Sequence, residues 1–114
     1  MAAKGKGARV KGHAFERKMA EWWRKQGFEK CLTSRFESKL LDDKKVDLTN
    51  TGPFYCQCKA VENLGSVHKV LSEMPNEEKY NLVFHQRSRQ GIIVAMMLED
   101  FEEILNMLTQ NKII

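Results

Sequence analysis

The chain has few of the residues that staple, break or anchor a fold. Of 114 residues three are cysteines, Cys31, Cys56 and Cys58. An odd number with no CxxC pair signals neither a disulfide framework nor a zinc site. There are two prolines, Pro53 and Pro75, and no Pro- or Ser-rich linker. The longest wholly apolar run is residues 92–98. A membrane-spanning helix needs roughly 20 such residues, so none is expected. The N-terminus has no apolar h-region, so no secretory leader is expected and the reading is cytoplasmic. No internal repeat is present.

Hydrophobic residues make up 42% of the chain and charged residues 30%, the composition of one folded domain. The charge is unevenly placed. Lys and Arg total 19 against 15 Asp and Glu, a net +4. The first twelve residues hold Lys4, Lys6, Arg9 and Lys11 and no acid, whereas residues 99–114 set Glu99, Asp100, Glu102 and Glu103 against Lys112 alone. A basic arm on a mildly basic body points to a polyanionic partner. Residues 1–11 have only alanine and glycine as uncharged residues besides Met1 and Val10. They read as a flexible basic arm ahead of a single domain at 12–114.

Periodicity gives the elements. Phe15, Met19, Trp22 and Trp23 make one apolar face of a helix over 12–26, and Gly27 ends it. Strands are expected at 31–35, 46–50 and 54–60. The mixed-charge residues 36–45 read as a loop, and Thr51-Gly52-Pro53 as a turn. A second helix over 64–74 buries Val67, Val70, Leu71 and Met74. Strands at 82–85 and 92–98 flank a loop, and a last helix covers 99–110 with Phe101, Ile104, Leu105 and Leu108 on one face. The order is α-β-β-β-α-β-β-α. Three strands with short links read as a meander, and the helix after them as a crossover to a parallel strand. The fold class is α/β, a mixed central sheet with flanking helices.

The chemistry concentrates on two of these strands. If the loop 51–53 sets the register, Asp47 falls opposite Gln57, on the face away from the core. Lys59, two residues further on, shares that face. Glu16 lies at the margin of the first helix's apolar face, since Trp23 follows it by nearly two turns. A carboxylate, an amide oxygen and a lysine beside a second carboxylate suit a phosphodiesterase site that uses Mg²⁺ or Mn²⁺. Asp47 is the main ligand, with the Gln57 side-chain oxygen and the Cys58 backbone carbonyl beside it. Glu16 completes the metal's surroundings, and Lys59 positions the attacking water and neutralises charge at the phosphate.

Glu16 in GHAFERKMAEWW, Asp47 in KKVDLTN, and Gln57 with Lys59 in FYCQCKA resemble the pattern of the PD-(D/E)xK nuclease superfamily. The likeness covers about residues 9–86. Within that superfamily, TSRFESKLLDDKKVDL followed by QCK is similar to the small phage-type Holliday junction resolvases. Two positions depart from the pattern. Gln57 replaces the usual acid, as in the QxK variant, and Val46 stands where a proline often precedes the aspartate. The resemblance implies a restriction-endonuclease-like core and a metal-dependent endonuclease of phage type. It also implies branched DNA such as a four-way junction as substrate, and a homodimer that makes paired cuts. The alternatives are an endonuclease for linear DNA and a non-catalytic nucleic-acid-binding module on the same fold.

Lys4, Lys6, Arg9, Lys11, Arg35, Arg87 and Arg89 are the candidates for DNA phosphate contacts, which position a duplex without reading its sequence. Asp42 and Asp43 read as loop surface, though at five and four residues from Asp47 they are near enough in sequence to contribute to the site. His13, His68 and His85 have no ligand spacing. Trp22 and Trp23 read as core or dimer-interface residues, and Cys56 and Cys58 as buried strand residues.

Overall fold

The computed structural model describes residues 2–114, with side chains from residue 7 onward. Five helices and three strands follow in the order α1 (Ala2–Lys25), α2 (Ser34–Glu37), α3 (Lys39–Asp43), β1 (Phe54–Ala60), α4 (Val67–Ser72), β2 (Tyr80–Arg87), β3 (Gly91–Ala95) and α5 (Leu98–Gln110). The sheet order is β1-β2-β3. β1 and β2 are parallel, with Gln57 opposite Val83, and β2 and β3 are antiparallel. This is the mixed sheet expected, with α4 as the crossover between the parallel pair.

Both faces of the sheet are covered. On one, Phe15, Met19, Ala20 and Trp23 of α1 pack on Cys56, Cys58 and Ala60 of β1 and Leu82 and Phe84 of β2. Trp23 is the hub, with its ring centroid 5.0 Å from Phe28, 5.7 Å from Phe54 and 6.1 Å from Phe84. On the other face Leu71 and Met74 pack on Val83, with Tyr55, Val67 and Val70 at the margin. Helix α1 ends as expected at Gly27, whose φ of 108° suits glycine. The Phe28 amide donates back to the Trp23 carbonyl there at 3.1 Å.

Four expectations are corrected. Helix α1 begins at Ala2, not residue 12, so the backbone of the expected arm continues the helix from that residue. The strands expected at 31–35 and 46–50 are reduced to one antiparallel bridge, Thr33 to Leu48. Lys45 and Asn50 both take positive φ, 68° and 57°, which cuts the extended segment between them too short for a regular ladder. The expected loop 36–45 contains α3 and the end of α2. The Ser38 hydroxyl accepts the Leu41 amide at 3.3 Å and caps α3, and Lys39 pairs with Asp43 one turn on, at 3.7 Å. Finally, α4 is shorter than expected. Among the described residues no helix is long and apolar enough to cross a membrane.

Candidate active site

Strand β1 organises the site. Its Cys56, Cys58 and Ala60 face α1, so Gln57 and Lys59 face the α4 side, as strand alternation requires. The N–H and C=O of one strand residue point to the same edge. The Asp47 amide donates to the Cys56 carbonyl at 2.7 Å, and the Cys58 amide donates to Asp47 Oδ2 at 2.7 Å. The Asp47 carbonyl in turn accepts the Ser34 amide at 2.8 Å. Asp47 is thus fastened to the free edge of β1 by backbone and side chain together. The Cys58 carbonyl faces the same edge, the position expected of a further oxygen donor.

Two details differ from the expected arrangement. The Asp47 backbone pairs with Cys56 rather than lying opposite Gln57. The face bearing Gln57 is not solvated: Gln57 is only 5% exposed. Glu16, from α1, approaches from the other face. Asp47 sits at the edge between them, within the electrostatic reach of both Glu16 and Lys59.

The electrostatics follow from this placement. Burial pushes the Asp47 carboxyl up to about 6. The Cys58 amide opposes the shift, the Glu16 charge adds to it, Lys59 opposes it and Asp42 adds to it. Burial also raises Glu16, against the pull of Arg35, whose Nε lies 3.6 Å from Glu16 Oε1. That separation makes an ion pair but is too long for a hydrogen bond. Asp42 raises Glu16 as well as Asp47. Sequence reasoning placed Asp42 on a loop surface near Asp47, and the structure puts it in α3, where its charge reaches both carboxylates.

Two buried oxygens in this constellation, Glu16 Oε1 and Gln57 Oε1, have no hydrogen-bond partner. A buried acceptor left without a donor costs about 1–3 kcal/mol, and a bound cation would relieve it. Hard oxygen donors of this kind fit Mg²⁺ or Mn²⁺. The set depends on an amide and a backbone oxygen, because among the described residues no three His, Cys, Asp or Glu side chains form a group able to hold a metal ion by themselves. The thiols do not contribute. Burial raises Cys56 and Cys58, so both are neutral strand packing.

The basic candidates separate into groups. Arg35 pairs with Glu16, and its charge, with those of Arg17 and Arg9, adds to burial in lowering His13. Lys11 and Arg87 both approach Glu62, at 3.9 and 4.0 Å. The Ser88 amide also donates to Glu62, at 2.9 Å. Arg89 is exposed in the β2–β3 turn at φ 63°. The side chains of Lys4 and Lys6 lie outside the described residues. No protein-family model, curated protein or solved structure matches the chain.

Proposed function

We propose that this protein is a metal-dependent DNA endonuclease with a restriction-endonuclease-like core, acting on branched DNA such as a four-way junction. One observation carries the reading: the Asp47 carboxylate is held at the free edge of β1 by the Cys58 amide, within electrostatic reach of Glu16 and Lys59, while Glu16 Oε1 and Gln57 Oε1 are buried without hydrogen-bond donors. Asp47, the Gln57 side-chain oxygen, the Cys58 carbonyl and Glu16 would hold Mg²⁺ or Mn²⁺. The ion would supply positive charge that polarises the phosphate and favours ionisation of the attacking water. The chain's own residues do the rest. The Cys58 amide fixes the Asp47 carboxylate in one orientation. Lys59 neutralises charge building on the phosphate and orients the attacking water by donating to it. Arg35 holds Glu16 in place and offers a cation to the adjoining phosphate. The basic groups of α1 and the β2–β3 turn hold the DNA backbone.

Paired cuts across a junction need two such sites, and so a homodimer. The preference for branched over linear DNA rests on the likeness to phage-type resolvases.

The test is incubation of a labelled four-way junction, its matched duplex and its single strands with Mg²⁺ or Mn²⁺. The wild type should cut the junction first. Asp47→Asn and Lys59→Ala should lose cleavage by at least a hundredfold while binding the junction within about threefold, since the basic groups proposed to hold the DNA backbone along α1 and the β2–β3 turn stay in place. Equal cutting of duplex and junction would favour the linear-DNA endonuclease. Binding without cleavage in either metal would favour the non-catalytic module.

A further inference from the structure

Beside the candidate active site lies a cleft of about 380 Å³ between α1 and the 32–36 segment, lined by Arg17, Ala20, Arg24, Leu32, Thr33, Arg35 and Phe36. Its volume is at the small end of the range for ligand pockets, ~300–1,000 Å³. Three of its lining residues are arginines and none is acidic. Two of those arginines are already oriented. Arg24 Nη1 donates to the Cys31 carbonyl at 2.7 Å, and Arg35 is held by Glu16. The third, Arg17, is exposed on the same side of α1, where its charge and that of Arg35 both reach His13. At the rim stands Phe36, 81% exposed, which no sequence signal marked for function. An aromatic ring left in water beside fixed guanidinium groups is unfavourable packing but good recognition chemistry.

We propose that this cleft binds an unpaired nucleotide of the DNA substrate, with the Phe36 ring stacked on its base and Arg17, Arg24 and Arg35 on the flanking phosphates. Every base has an aromatic face, so stacking recognises an unpaired base without reading its identity, and arginines track the phosphates on either side. A base inside a duplex is already stacked and is not available to Phe36. The cleft therefore discriminates a frayed or single-stranded segment from continuous duplex. Arg35 touches both the cleft and Glu16, so a strand held here is delivered to the carboxylates. The inference deepens the nuclease reading and rests on it for the identity of the substrate.

The test is a binding measurement made in EDTA, so that cleavage plays no part. Wild type, Phe36→Ala, Phe36→Tyr and Arg17→Ala are titrated with a fluorescent single strand, a blunt duplex and the same duplex with a short overhang. Phe36 is too exposed for its loss to unfold the chain. The wild type should prefer the overhang to the blunt duplex. Phe36→Ala should bind single strand and overhang about tenfold more weakly, in line with the loss of one base stack. Its affinity for blunt duplex should stay within twofold, and Phe36→Tyr should restore the preference. Arg17→Ala should make the slope of log affinity against log salt for single strand shallower by about 0.7. Equal affinities of wild type and Phe36→Ala for the single strand would overturn the inference. So would an equal loss on all three substrates. Parallel assays with Mg²⁺ separate the two readings. Cleavage with no Phe36 effect would sink the cleft alone, and a Phe36 effect with no cleavage would sink the nuclease alone.

Discussion

At the scale of the residue, Asp47 is held by backbone and side chain together. Its carboxylate is half-buried at the edge of β1, accepts one strand amide, and sits in the field of two other acids. Burial and those charges lift its pKa from 3.8 to about 6. Between these values the folded chain keeps a proton that the unfolded chain has released. Stability therefore falls as pH rises through this window, and the loss is complete above about pH 6. Asn at this position still accepts the Cys58 amide but carries no charge. Asp47→Asn should thus be more stable than wild type at pH 8, by up to about 3 kcal/mol, and equal to it below about pH 4. Thermal melts at the two pH values check this. Mg²⁺ should raise the melting temperature of wild type at pH 8 and leave Asp47→Asn unmoved. A variant no more stable than wild type at pH 8 would mean that the carboxylate sits in an unstrained environment.

At the scale of the element, helix α1 and strand β1 do most of the organising. The four-three spacing that marks α1's apolar face leaves Trp22 and Trp23 both as core or interface candidates. The structure separates them. Trp23 is 5% exposed and meets three phenylalanines, whereas Trp22 is 45% exposed. Trp23→Ala should cost about 3–5 kcal/mol, the usual cost of emptying a large aromatic site. Trp22→Ala should cost under about 1 kcal/mol, since only its edge contacts to Trp23 and Phe84 are lost. Chemical denaturation of the two variants measures both. Similar losses would mean that the helix is rotated from the position described here. Strand β1 was legible to the residue, because alternating apolar positions over 54–60 follow a turn. The segments before it were not. Their pairing is set by Ser34, Asp47 and Thr49 hydrogen bonds across the chain, and such contacts leave no period in the sequence.

At the scale of the whole molecule, the body is closed on the α1 and α4 sides and open along β3 and α5. Ile93 and Val94 of β3 are exposed, and so are Leu98, Phe101 and Leu105 of α5. No residue of α5 is buried, although the helix is amphipathic. β3 also ends the sheet, so its outer backbone groups are a template for another strand. The homodimer proposed above would use this face, since a twofold axis pairs the same edge strand and the same helix stripe of two copies. Light scattering should give a mass near twice 13.2 kDa, and Ile93→Lys should halve it by placing a charge in the edge. A monomeric wild type, both free and bound to a junction, would defeat both the dimer and the paired-cut reading.

The sequence by itself determined the mixed α/β class, strand β1, the parallel crossover, the helix stop at Gly27 and the chemical types in the site. These depend on local periodicity and on turn chemistry, which neighbouring residues carry. Only the tertiary structure decided that Asp47 pairs with Cys56 and that Glu16 and Gln57 come from opposite faces of the sheet. It also decided that Phe36 stands beside three arginines. The reason is that a strand's register, and the side from which a helix approaches it, are fixed by contacts between residues far apart in the chain. Asp47 bonds to a strand that begins after the next turn, and Glu16 reaches it from a helix some thirty residues earlier.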